Sequence, residues 1–151
     1  KRMWSMFHES GIFMGACRHH MITWSCDMIR SGELAKYPLA ILNKTLDTHE
    51  PGTMGSFDIG CAFASTVKNS SLASKFQQKE ASLCVNAFHG YSHNYPCQLK
   101  NHPTVIEGMG LEDLETMERI FSSTNRLASV TRYMSPYRRS LFIETYLQQW
   151  D

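Results

Sequence analysis

The junction Ser56-Phe57-Asp58-Ile59-Gly60-Cys61 constrains this chain more than any other stretch. It closes a short run with strand character and opens a longer one with helical character, with a single acidic residue between them. A carboxylate at the C-terminal end of a strand in an α/β sheet projects into the crevice where ligands bind. Gly60, just after it, lets backbone or substrate approach closely. Two readings of Asp58 stay open on these residues alone. It is either the cap of the following helix, a position Asp favours, or a metal-binding or catalytic acid.

The stretches on either side set the element order. Met3 to Phe7, Ile12 to Cys17 and Met21 to Cys26 read as three strands, with turn signals at Glu9-Ser10-Gly11 and Arg18-His19-His20. Strands this close together make an antiparallel meander. Arg18 and His19 at its second turn read as solvated loop residues. Ser31-Gly32-Glu33 offers a helix start, and Leu34, Leu39, Ile41, Leu42 and Leu46 supply one apolar face. Pro38 interrupts that pattern and moves the start towards Tyr37. Met54 to Asp58 is a fourth strand, and a helical stretch runs from Cys61 towards Phe76 with a break at Asn69-Ser70-Ser71. Ser82 to Ala87 is a fifth strand. The order β-β-β-α-β-α-β implies a mixed sheet flanked by helices.

Composition narrows the class. A chain of 151 residues is expected to form one domain with a real core. Its formal net charge of +1 and charged fraction of 19% show no global basic field. A local basic groove would still serve a nucleic-acid enzyme. Five cysteines without a tight repeat argue against a secreted disulfide scaffold and for thiols in a reducing compartment. No apolar run reaches the roughly 18 residues of a membrane span. Lys1 at the start and the abrupt Trp150-Asp151 end are those expected of a piece of a longer protein.

Beyond the fifth strand, His89, His93 and Cys97 are spaced i, i+4, i+8 and share one side of a helix if the helix survives Gly90 and Pro96. Histidines four apart can share a metal, and a thiolate can add a ligand. With no second Cys/His pair nearby, the expectation is hydrogen-bonded polar residues beside the crevice rather than zinc. Leu111, Leu114, Met117, Ile120 and Phe121 form a later helical stripe, with Glu112, Asp113 and Glu115 loading its first turn. That helix is expected to run on towards Tyr133. A last helix follows Pro136, and Arg126, Arg132, Arg138 and Arg139 make this end basic. These arginines either clamp phosphates or balance the preceding acids.

Several separated motifs together resemble one family. They are Cys17-Arg18-His19, Asp27-Met28 with Ser31-Gly32-Glu33, Tyr37-Pro38-Leu39, and Phe57-Asp58-Ile59-Gly60-Cys61. Phe88-His89-Gly90-Tyr91-Ser92-His93-Asn94, Cys97-Gln98 and the Glu112 to Ser122 stretch with Glu118-Arg119 complete the set. In this order they resemble the KDZ (Kyakuja–Dileera–Zisupton) transposases, DDE-type enzymes with an RNase H-like fold. The resemblance implies one RNase H-like core: a sheet region over about residues 1–88, a His/Cys segment over about 89–107, and C-terminal helices over about 111–151.

It also implies the chemistry: two divalent ions, magnesium or manganese, held by carboxylates for attack on a DNA phosphodiester. Asp58 matches the second acid. Glu115 best matches the late acid, with Glu118 the alternative and Asp113 behind both. Arg18, His19, His89, His93, Cys97 and Arg119 fall in motifs that support the fold or contact substrate. DNA is the implied partner and the nucleus the implied compartment, with self-assembly compatible and no membrane. Where relatives read Phe-Asp-Glu-Thr-Gly, this chain has Phe7-His8-Glu9-Ser10-Gly11. His8 therefore takes the place of the first metal-binding Asp, offering nitrogen where magnesium prefers anionic oxygen. Glu9 would point to the other strand face. The expectation is a transposase-derived domain with impaired activity. Its alternative is a non-catalytic DNA- or protein-binding module that keeps the scaffold.

Overall fold

Strands form where apolar runs are short and bounded by turn residues, and helices where the apolar period lengthens. The computed structural model describes residues 7–150. Phe7 sits in a bend, and the rest of the expected first strand lies outside the described residues. The chain falls into two compact units, residues 1–41 with 116–151, and residues 42–115.

The first unit is built on an antiparallel hairpin of β1 (Glu9–Ala16) and β2 (Ile22–Ile29). Its turn is closed by the Cys17 amide on the Met21 carbonyl at 2.9 Å, and Arg18 and His19 are exposed there. Glu9-Ser10-Gly11, expected as a turn, is strand. Glu9 faces Ile29 and Gly11 faces Met28, leaving Ser10 as the extra residue of a bulge. Its hydroxyl donates to the Met28 carbonyl at 2.9 Å. Cross-strand pairing thus absorbs turn-prone residues in an irregularity.

Met14 of β1 is the buried centre of this unit. It packs against Ile120 of α6 (Thr116–Thr124) and against Ile143 and Leu147 of α8 (Pro136–Trp150). The helix expected to continue to Tyr133 is broken, and α7 (Leu127–Thr131) is separate. Arg139 on α8 pairs with Asp27 on β2, so this arginine balances an acid rather than standing free. Helix α1 spans Lys36–Thr48 and starts well after Ser31, with Pro38 in its tolerant first turn. The Ser31 hydroxyl instead meets the Tyr37 hydroxyl at 2.6 Å, and that oxygen accepts the Ile29 amide at 3.0 Å. Buried Tyr37 thereby ties α1 to the end of β2.

In the second unit β3 (Met54–Ser56) pairs in parallel with β4 (Ser82–Cys84). Parallel neighbours need a crossover, supplied by α2 (Gly60–Lys68) and α3 (Ala73–Gln78). Phe63 and Val67 of α2 are buried, as are Val85 and Leu46. The expected break between the helices is present: the Ser70 hydroxyl donates to the Val67 carbonyl at 2.7 Å and accepts the Leu72 amide at 3.1 Å. After β4 come α4 (Ala87–Gly90), α5 (Tyr95–Asn101) and a 3-10 turn at Pro103–Val105. The mixed α/β character is as expected. The described strands, however, form two two-stranded sheets, not one.

Gly60 is the tightest point of the second unit. A Cβ there would lie 2.0 Å from the Cys84 carbonyl oxygen, so α2 starts directly against the strand backbone. Backbone cannot yield as a side-chain tip can. Gly60→Ala should therefore destabilise the chain by about 1–3 kcal/mol, the usual scale for overpacking. Urea denaturation checks this, and an unchanged midpoint would show that the start of α2 shifts freely.

Candidate metal and catalytic site

Asp58 follows β3 at the point where strand pairing stops. The Phe57 amide donates to the Cys84 carbonyl at 3.1 Å, and the Gly60 amide donates back to the Phe57 carbonyl at 2.7 Å. This closes a tight turn around Asp58. The N-cap of α2 is Ile59, with no side-chain capping bond. The capping role weighed for Asp58 is thus not the one it plays. Its carboxylate is half-exposed, and Oδ1 lies 3.5 Å from His89 Nδ1, an ion pair whenever that imidazole is protonated. That nitrogen is itself buried and makes no hydrogen bond. His93 Nε2 donates to the Asp58 backbone carbonyl at 3.0 Å. Two imidazoles therefore flank the strand-end acid.

Glu115 reaches the same segment from another direction. Its Oε1 accepts the Phe88 amide at 2.8 Å, and the Asp113 carbonyl accepts the Ala87 amide at 2.9 Å. The first amides of α4, which lack helical partners, are thus satisfied by residues 113–115. This corrects the expected helix over 111–122, which starts only at Thr116. Leu114 adopts a φ of +60°, a left-handed conformation incompatible with a continuous helix. Asp113 and Glu115 turn to the amides of α4 instead of loading the first turn of their own helix.

The helix that would have set His89, His93 and Cys97 on one side does not survive Gly90. The helix breaks after Gly90, and α5 restarts behind Asn94, whose side chain caps it by accepting the Cys97 amide at 3.0 Å. Pro96 sits comfortably in that new first turn. The break sends His89 to Asp58 and leaves His93 facing two sulfurs. Both Cys61 Sγ and Cys97 Sγ lie 3.4 Å from His93 Nδ1. Cys61, the second residue of α2, supplies a further Cys beside His93 and Cys97 that linear spacing does not bring near them. The only hint in the sequence was its place after the Asp58 turn. Burial pushes the Cys61 thiol up, as does the neighbouring Cys97 sulfur, against the opposing pull of the Ala62 and Cys61 amides. Cys84, more deeply buried in β4, is pushed up to about 11 and stays a thiol.

The remaining candidates belong to the first unit. Glu118 lies in the first turn of α6, with exposed Arg119 next to it. Arg18 and His19 occupy the hairpin turn, where His19 Nδ1 is 3.9 Å from Cys17 Sγ. His8 sits in the bend before β1, not on a strand, so strand alternation does not separate it from Glu9. Its Nδ1 lies 3.0 Å from Glu9 Oε1. Burial raises the Glu9 carboxyl pKa, but the His8 hydrogen bond and the positive charges of His8 and Arg139 outweigh it. The net pKa falls below the ordinary 4.5.

A depressed carboxyl contributes stability above its unfolded pKa and loses it as pH falls through the folded one. His8→Ala should move the Glu9 pKa upward and shift acid unfolding to higher pH. Carbon-detected NMR titration of the Glu9 carboxyl reads the first effect and circular dichroism against pH the second. An unmoved Glu9 pKa would show that His8 does not act on it.

A mixed α/β chain with a strand-end acid between imidazoles, and a Cys–His cluster beside it, is the class these observations define. The family model described as Kyakuja-Dileera-Zisupton transposase, KDZ, matches residues 1–151. The chain belongs to the KDZ transposase family. No curated protein and no solved structure gives a significant match.

Proposed function

We propose that the chain is a transposase-derived, RNase H-like domain directed at DNA phosphodiesters in the nucleus, with catalysis impaired at its first acid position. Family membership supports the transposase origin. The RNase H-like reading is supported by element order: the described strands and helices, β1-β2-α1-β3-α2-α3-β4, follow the expected series from its second strand onward.

The observation that carries the reading is the strand-end placement of Asp58. Its carboxylate is not used as a helix cap, is half-exposed, and has an imidazole at 3.5 Å. Glu115 binds Phe88, the residue next to that imidazole, so both acids engage consecutive residues of α4. One Glu115 oxygen is committed to an amide, and the other is the donor left for a cation. Asp58 and Glu115 offer the hard oxygen donors that magnesium or manganese takes, and Glu118 is the alternative late acid. When bound, such ions supply nucleophile activation and leaving-oxygen stabilisation. His89 Nδ1, 3.5 Å from Asp58 Oδ1, is close enough to attract that carboxylate when the ring is protonated. In the sequence His8 stands where the resemblance implies the first metal-binding Asp, and its imidazole is paired with Glu9.

Plasmid nicking with magnesium or manganese tests this, comparing the chain with its His8→Asp and Asp58→Ala variants. The chain should nick weakly or not at all. His8→Asp should raise nicking by about tenfold or more, the scale of a recovered contact around a metal. Asp58→Ala should abolish what remains. Robust cleavage by the unchanged protein, lost in Asp58→Ala, would show that His8 is tolerated. Tight DNA binding with no cleavage by the His8→Asp variant would favour the non-catalytic module instead.

A further inference from the structure

We propose that Cys61, His93 and Cys97 form a zinc site that fastens the start of α2 to the turn between α4 and α5. It is separate from the acidic site and independent of any reading of Asp58 as a catalyst. The three ligand atoms lie within 4.8 Å of one another, as donors around a single ion must.

The His93 ring is already oriented for this role. A backbone carbonyl can only accept, so the 3.0 Å contact with the Asp58 carbonyl puts the proton on Nε2. That leaves Nδ1 as the lone-pair donor, and Nδ1 is the atom both sulfurs face at 3.4 Å. Metal-binding histidines characteristically hold their second ring nitrogen on a carbonyl or carboxylate in this way, which fixes tautomer and ring direction together.

The sulfurs are prepared as well. Asn101 Nδ2 lies 3.4 Å from Cys97 Sγ and donates to the Cys97 carbonyl at 3.1 Å, so an N–H faces the sulfur. The Asn94 cap and Pro96 fix where α5 begins and hence where Cys97 points. Gln98 Nε2 donates to the His93 carbonyl at 2.7 Å and holds the turn. Two thiolates and an imidazole suit zinc, whereas magnesium and manganese prefer oxygen. On binding, each thiol gives up its proton to solvent and the sulfur lone pair forms the bond to zinc. Water fills the remaining tetrahedral position.

The site lies next to Asp58 through the chain and through His93. Loading zinc would hold the turn that presents the Asp58 carboxylate, a positioning effect made through the backbone carbonyl.

The test uses the whole chain, purified without chelators, with metal content read by plasma mass spectrometry. Roughly one zinc per chain is expected, with the mixed sulfur and nitrogen shell of such a site in X-ray absorption. Cobalt(II) exchanged into the folded protein should give thiolate-to-cobalt charge-transfer absorption and the strong visible bands of tetrahedral coordination. Cys61→Ser, Cys97→Ser and His93→Ala should each lose the bound zinc, while Cys17→Ser, in the hairpin turn, should retain it. A folded, zinc-free wild-type chain that shows no cobalt–thiolate band would overturn the proposal. So would equal loss of metal in Cys17→Ser, or a Cys61–Cys97 disulfide in protein kept under reducing conditions.

Discussion

The carbonyl of Cys84 is the fixed point of the second unit. It accepts the Phe57 amide at 3.1 Å, and the backbone of Gly60 passes so close that no side chain fits there. One strand-end oxygen thus sets both the last residue held by the sheet and the first residue of α2. Asp58 and Ile59 span the gap in a turn with no freedom to slide. The carboxylate of Asp58 and the sulfur of Cys61 emerge on either side of Gly60, placed by one constraint rather than two. Even a methyl group at residue 60 would have to move a backbone that pairs with β3.

The segment after β4 completes the arrangement by folding back on itself. The Val85 amide donates to the Asn101 carbonyl at 3.0 Å. Buried His102 donates through Nε2 to the Ala87 carbonyl at 2.9 Å and shares a 2.8 Å bond with the Thr104 hydroxyl through Nδ1. Its ring lies against Gly90, where a Cβ would come within 2.4 Å of it. A buried polar ring costs free energy unless both nitrogens are satisfied, and here both are. This closed loop is the platform from which His89 and His93 reach the Asp58 turn. His102 stabilises it without touching either acid.

Hard and soft donors are therefore sorted within a few residues. The Asp58 carboxylate lies beside His89 and the Glu115 carboxylate on the Phe88 amide, while two sulfurs and the His93 Nδ1 gather at Cys61, His93 and Cys97. His93 touches both groups, with Nε2 on the Asp58 backbone and Nδ1 on the sulfurs. Membership of a transposase family gives the first group its context, and the second group follows from local geometry.

Local patterning in the sequence determined the element types, because alternation and helical period act within a few residues. The strand at Ile12 to Cys17, the turn at Arg18-His19-His20, the α2 break near Ser70 and the strand-to-helix switch around Asp58 were all legible. The ordered motifs from Cys17 to Arg119 also carried the family. What the tertiary structure decided were the competitions between local preference and distant partners. Cross-strand pairing turned Glu9-Ser10-Gly11 into strand, and the open amides of α4 drew Asp113 and Glu115 out of helix. Breaking the helix after Gly90 separated His89 from His93 and sent one to a carboxylate and the other to two sulfurs. Cys61 joined His93 across 32 residues of sequence, and spacing along a chain holds no record of a contact made through the turn of another element.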